Sequence, residues 1–353
     1  MASAGTKPAR AAHRRVTRVE WPRLSKEKLL DLRLCDLDLR IEGTPIEDCV
    51  QELAKELESR GFAFRPHVWL SDEWFCPDGV PGFAVPFYLA HPRLKRLEQE
   101  FMLEVEGGTP EECLKLMRHE TGHALANAYR LHRRRDWQPH FGKSSQRYPQ
   151  SYLPHPYSKR FVVHLENWYA QSHPDEDWAE TFAVWLKPDS DWRNRYRGWP
   201  ALKKLEYVDR LMGEIVGTRP LVRTRRRESP ANRVRITLRK YYERKRTLYG
   251  AKRPEFLDRD LRRLFADGPA RPDAETATRY LRRHRDEITA IVSRWTSEYR
   301  YRIDQVLKEM IRRCDELQLH VMRDDPAMKL ETVAFLTRLV MDYLHSGRFR
   351  VRL

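Results

Sequence analysis

Residues 37–41 (LDLRI) alternate apolar and polar positions, a period of two that predicts a strand, and Gly43, Thr44 and Pro45 then open an amphipathic helix reaching about Leu57. A second strand is expected over 62–70 (FAFRPHVWL), interrupted by Pro66. The turn at Pro77, Asp78 and Gly79 leads to a third over 83–89 (FAVPFYL). Proline inside a strand favours a sheet edge, so one of these segments is expected to border a cleft. Together they predict a small mixed sheet.

The period then lengthens to that of helices. One helix is predicted from about Pro92 to Glu104. A second follows Gly107 and Gly108, where Thr109 supplies an N-cap, Pro110 the first turn, and Glu111 and Glu112 early negative charge; it runs to about Leu131. Residues 132–165 carry Arg, Pro, Ser and aromatic residues without a period, which predicts an extended surface excursion of the kind that usually serves a function or moves. Pro174, Asp175, Glu176 and Asp177 open a further helix, apolar at Trp178, Phe182, Val184 and Trp185, that stops before Pro188. Trp199 and Pro200 start another, ending near Gly217. Beyond Thr218 the composition turns to 223–227 (RTRRR) and a basic helix up to about Tyr249, followed by a long helical stretch over about 273–319 and a last helix over about 326–344. Three parts are therefore expected: a basic disordered arm over 1–30, a first domain over 31–217, and a basic, helical accessory domain over 218–353. No internal repeat or sustained heptad is present.

With 353 residues and 41% hydrophobic content, the chain has enough apolar material for folded cores. It contains no apolar run of roughly eighteen residues, so a membrane span is not expected. Arg14 and Arg15 lead into a polar stretch, which argues against a secretory or twin-arginine leader. Cys35, Cys49, Cys76, Cys113 and Cys314 lie far apart with no C-x-x-C pair, a usage that suits free thiols in a reducing cytoplasm. A formal net charge of +16 brings nucleic acid, acidic substrates and anionic surfaces into view as partners. In the basic region Arg219 to Arg253, Tyr241, Tyr242 and Tyr249 interleave with Arg and Lys, as a nucleic-acid surface would use for phosphate contact and stacking. A solvated helix face beside a basic linker explains the same residues, and no nucleic-acid-binding signature accompanies them, so the plainer reading is preferred.

Specific chemistry enters at His119, Glu120, Thr121, Gly122 and His123. Side chains four apart share a helix face, so the two histidines can hold one metal while Glu120 points beside it at a bound water. Catalytic zinc takes three protein ligands and keeps one open position, which leaves one ligand to find. Glu176 and Glu180 share a face of the later helix, whereas Asp175 and Asp177 point elsewhere. One glutamate can ligate while the other receives the free ring N–H of a ligating histidine, and spacing does not say which. By itself the pentapeptide also arises by chance on solvated helices. Against that, Met117, Ala124, Leu125 and Ala128 surround it with apolar surface, and Gly122 costs a helix about 1 kcal/mol relative to Ala. Its small size lets another backbone approach, as a metal-bearing second helix would. His173 suits a helix-opening position better than a contact to substrate or metal. His132, His140, His155 and His164 read as surface or packing residues, and Trp178, Phe182 and Trp185 as core.

With its later Glu176 and Glu180, the motif resembles the gluzincin metallopeptidases. Residues 169–182 (YAQSHPDEDWAETF) are especially similar to a family of uncharacterised bacterial zinc-binding metallopeptidases, and more distantly to the catalytic domain of anthrax lethal factor, where a tyrosine also lies seven residues before the ligating glutamate. The resemblance covers roughly residues 35–217. It implies one Zn²⁺ held by His119, His123 and Glu176, with Glu180 supporting a histidine, Glu120 as general base and Tyr169 as the donor to the developing oxyanion. The expected fold is α+β, a zincin-like catalytic domain with a small mixed sheet and an HExxH helix, followed by an all-helical C-terminal domain. The expected function is that of a cytoplasmic zinc metallopeptidase acting on a peptide or protein substrate. Its rivals are a latent zinc protein serving as a scaffold or nucleic-acid-associated protein, and a zinc amidohydrolase acting on a non-protein amide.

Overall fold

The computed structural model describes residues 21–149, 151–155, 157–249, 258–268, 274–322, 326–345 and 351–352. Helices α1 (Lys26–Leu30) and α2 (Pro45–Ser59) precede two parallel strands, β1 (His67–Ser71) and β2 (Gly82–Pro86), paired from His67 opposite Gly82 to Ser71 opposite Pro86. Helices α3 (Pro92–Met102), α4 (Pro110–Tyr129), α5 (Gln138–Phe141), α6 (Pro174–Leu186), α7 (Trp192–Arg195), α8 (Ala201–Ile215) and α9 (Leu238–Tyr249) follow. Beyond them lie α10 (Asp258–Leu264), α11 (Ala277–Arg283), α12 (Arg285–Thr296), α13 (Arg300–Glu316) and α14 (Pro326–His345). Two short antiparallel ribbons join β3 (Ser151–Tyr152) to β6 (Val351–Arg352) and β4 (Ala266–Asp267) to β5 (Leu319–His320). The architecture is α+β and mostly helical.

The expected mixed sheet is replaced, among the described residues, by these separate two-stranded pairs. Residues 37–41 do not form a strand: Asp38 has a φ of 46°, which breaks the extended path, and Leu37 is buried with its carbonyl accepting the Trp21 indole N–H at 2.9 Å. The second strand starts only after Pro66, which has no N–H to give a ladder, and the third stops at Pro86, where Phe87–Ala90 turn into a 3-10 helix. The cleft is bordered by the connection between these strands rather than by an expected strand segment: Trp74, Phe75, Cys76 and Asp78 line the cavity beside the candidate site. In the C-terminal part the β4–β5 ribbon departs from an all-helical design. The long stretch over 273–319 is broken at His284 and at Ser297, the latter with a φ of 55°.

Buried apolar side chains form two main clusters. The first runs from Trp21 to Tyr242 and also takes in Tyr301; the second runs from Leu261 to Val340. Trp21, Leu29 and Leu30 belong to the first, so residues 21–30 pack with it rather than forming part of an arm; residues 1–20 lie outside the described residues. The compositional change at Thr218 does not mark the break between cores. Carbonyls of Arg226, Glu228 and Ser229 receive side-chain hydrogen bonds from His67, Trp69 and Ser71 of β1, at 3.0, 2.9 and 2.7 Å, so the arginine-rich stretch lies along that strand. Helix α9 then buries Leu238, Tyr241 and Tyr242 in the first core, which removes the last two as stacking platforms for bases. Tyr249 packs edge-on against Tyr299, 4.9 Å between centroids.

Candidate metal centre

Two helices carry the site, and each is positioned by its own local chemistry. Thr109 caps α4, accepting from Glu112 N–H at 3.2 Å while the Glu112 carboxylate accepts the Thr109 N–H at 3.2 Å. Met117, Ala124, Leu125 and Ala128 are buried, which directs the apolar flank of α4 into the core. Arg118 pairs with the buried Glu56 through two hydrogen bonds, of 2.7 and 2.5 Å, and so fixes α4 against α2. Helix α6 opens on Pro174 with His173 as its cap, the ring Nδ1 accepting from Asp175 N–H at 3.1 Å. Its apolar side chains Trp178, Phe182 and Trp185 are core, and the Trp178 indole N–H donates to the Gly122 carbonyl at 2.8 Å.

This packing brings three of the sequence candidates to one point. The Nε2 atoms of His119 and His123 are 3.1 Å apart, and Oε2 of Glu176 lies 3.0 Å from the first and 3.1 Å from the second. Glu180 stands behind them: its Oε1 accepts from His119 Nδ1 at 2.8 Å and its Oε2 from Leu165 N–H at 2.7 Å. Since Nδ1 of His119 donates, Nε2 of the neutral ring presents a lone pair. With His123 in the matching tautomer three lone-pair atoms would converge, an arrangement that needs positive charge among them, either ring protons or a metal ion. A tetrahedral zinc ion with bonds of about 2.0–2.1 Å needs ligand atoms about 3.3 Å apart, so the spacing and the N,N,O donor set fit that ion. Among the described residues, His119, His123 and Glu176 are the group able to hold a metal.

The titration behaviour has the same origin. Burial disfavours the charged ring of His119, yet hydrogen bonds and charge from Glu176 and Glu180 outweigh it and raise its pKa well above the ordinary value. His123 is raised in the same way, chiefly by Glu176. Burial would push Glu176 up, but the charge of His123 and the hydrogen bonds from both rings hold it well below the usual carboxylate range, and Glu180 is also lowered. The carboxylates that favour positive charge on these rings would equally favour a metal cation among the three converging atoms.

Glu120 is buried beside this triangle with Oε2 unpartnered, and burial raises its pKa against the pull of both histidines. Tyr169 reaches the site because Asn167 and Trp168, at φ of 57° and 53°, kink the short helix Glu166–Gln171; its ring lies 5.6 Å from that of His119. Both residues line a cavity of about 180 Å³ together with His119, His123 and Glu176. His173 is a buried helix cap, His164 is bound to the Lys115 carbonyl at 2.9 Å, His140 stacks on Tyr207 and His155 is exposed, whereas His132 lines the cavity.

One participant was not anticipated. Tyr148, in the excursion between α5 and β3, donates its hydroxyl to Glu176 Oε1 at 2.9 Å while its ring stacks on His173, 3.7 Å between centroids and 14° from parallel. His173 Nδ1 accepts from Asp175, so its Nε2 carries the proton and donates to the Gln146 carbonyl at 2.8 Å, tying the same loop down. The only hint in the sequence was the length of that excursion.

Residues 112–190, less than half of the chain, match a family model described as "Putative zinc-binding metallo-peptidase". This stretch contains α6, α4 from its third residue onward, and Tyr148. No curated protein and no solved structure matches the chain.

Proposed function

We propose that this chain is a zinc-dependent metallopeptidase with a zincin-like catalytic domain. The observation that carries the reading is the convergence of His119 Nε2, His123 Nε2 and Glu176 Oε2 beside an unpartnered, buried Glu120 carboxylate. His119, His123 and Glu176 would hold one zinc ion, the gluzincin choice of third ligand, with Glu180 fixing the His119 ring. When bound, the ion supplies Lewis acidity and lowers the pKa of a water in its open position to about 7.

The remaining steps belong to the side chains. Glu120 takes the proton from the attacking water and returns it to the leaving amine, a role that its raised pKa suits. Tyr169, whose pKa is also raised well above the ordinary value by burial and by Glu176, keeps its hydroxyl proton and donates it in a hydrogen bond to the carbonyl oxygen as charge develops. Tyr148 holds the second oxygen of Glu176, leaving the first for the metal. The five cysteines are free thiols, which supports a cytoplasmic setting, and among the described residues no helix is long and apolar enough to cross a membrane.

Metal analysis joined to a proteome-wide cleavage comparison of wild type with Glu120→Gln tests the reading. Zinc is expected in both proteins, and peptide cleavage is expected to fall by about 10²- to 10⁴-fold in the variant. His123→Ala is expected to lose both zinc and cleavage. An unchanged cleavage rate in Glu120→Gln would sink the assignment, and stoichiometric zinc with no cleavage difference would favour a latent or non-peptidase role.

A further inference from the structure

Carboxylates are the charged groups on the wall of the cavity away from the metal triangle, although the molecule is basic. Asp78, Glu120, Asp175 and Glu176 line it and, among the described residues, no lysine or arginine does, in a chain of net charge +16. Asp78 and Asp175 line the cavity together with His132 and Tyr148 and act through space on both. Neither forms an ion pair with a lysine or arginine among the described residues, and Asp175 Oδ1 is buried without a hydrogen-bond partner. His132 does not neutralise them, because burial lowers its pKa.

A second feature points to a ligand independently of charge. Trp137 is 1% exposed and lines the same cavity, yet its indole N–H has no acceptor. Trp74 lines it as well, and its indole N–H is likewise buried and unpartnered. A buried donor left without an acceptor is costly, and a ligand carbonyl would remove that cost. Carboxylates facing a cation and indoles facing a carbonyl describe opposite ends of one molecule.

We propose that this wall selects substrates with a positive charge next to the scissile bond, an ammonium or guanidinium held by Asp78 and Asp175 while an adjoining peptide carbonyl accepts from Trp137. The inference rests on the metallopeptidase reading for the identity of the bond but not for the selection itself. The cation has two possible sources, a lysine or arginine side chain and the free α-ammonium of a peptide.

Zinc-loaded Glu120→Gln, titrated with fluorescent peptides, separates these points. The peptides are an N-acetylated set carrying arginine, lysine, citrulline, norleucine or glutamate at each position in turn, and the citrulline peptide with a free N-terminus. Arginine or lysine is expected to tighten binding about tenfold over citrulline or norleucine if the side chain is read, and the free N-terminus to do so over its acetylated form if the α-ammonium is read. Adding Asp78→Asn, a change on an exposed turn, is expected to remove most of that preference, as is Asp175→Asn, with zinc content unchanged. Equal binding of cationic and neutral peptides, no measurable binding of any cationic peptide, or a preference untouched by both substitutions would overturn the proposal. A cationic preference in binding without cleavage by the wild type would leave it standing and sink the peptidase reading instead.

Discussion

A side-chain carbon at Gly122 would lie 2.9 Å from Cα of Ala179 and 3.3 Å from its Cβ and carbonyl oxygen, so α4 and α6 meet backbone to backbone at the metal centre. Gly122→Ala would gain about 1 kcal/mol of helix propensity, but the neighbouring atoms are main chain and cannot swing aside, and overpacking of this kind costs about 1–3 kcal/mol. The variant is expected to unfold at lower denaturant and to bind zinc more weakly, because separating the helices widens the gap between His119, His123 and Glu176. A variant with wild-type zinc affinity and stability would show that the close approach is not needed.

That glycine shows which parts of the site could be read from the sequence. The ends of α4 and α6 are set by neighbours in the chain, Thr109 with Glu112 and His173 with Pro174, and Gly122 announces a close approach by its poor fit to a helix. Tyr148 announces nothing, since it reaches Glu176 along an irregular path and is held there by a stack on His173 that has no period. The strand expected over 37–41 fails for a related reason: alternation is present, but Asp38 takes a left-handed conformation that a period of two does not announce. Composition misled at Thr218, because it records the solvent face of α9 while Leu238, Tyr241 and Tyr242, spaced for one face, record the buried one.

Tyr148→Phe removes the hydroxyl that holds Glu176 Oε1 and leaves the ring stacked on His173. Residues that orient metal ligands typically contribute tenfold or more to affinity, so the zinc dissociation constant is expected to rise about tenfold. Tyr148 is 43% exposed, and the melting temperature of the metal-free protein is therefore expected to stay close to wild type. Competition with a chelator of known affinity measures the first and calorimetry the second. Unchanged zinc affinity would mean that the hydrogen bond orients nothing.

Glu180 binds two partners, His119 and the Leu165 N–H that leads into the Tyr169 segment. Glu180→Ala is expected to weaken zinc binding by about 10- to 100-fold. It should also release the approach to Tyr169, seen as faster hydrogen exchange over 165–171. Weaker zinc binding with unaltered exchange would confine Glu180 to its histidine.

Glu104 predicts a pH dependence with a definite sign. It lies near the junction of the two cores, where Arg300 N–H donates to it at 3.4 Å, and burial raises its pKa from 4.5 to about 7, with Glu106 adding to the rise. The folded chain therefore keeps a proton that the unfolded chain releases above pH 4.5, so the associated stability is complete below that value and is lost as pH rises through about 7. Glu104→Gln stays neutral and can still accept from Arg300. The variant is expected to be more stable than wild type at about pH 8, with the difference closing as pH falls towards 4.5. Zinc release on acidification affects both proteins alike, so the difference between their denaturation midpoints isolates this carboxyl. Curves that run parallel from pH 5 to 8 would place the Glu104 proton elsewhere.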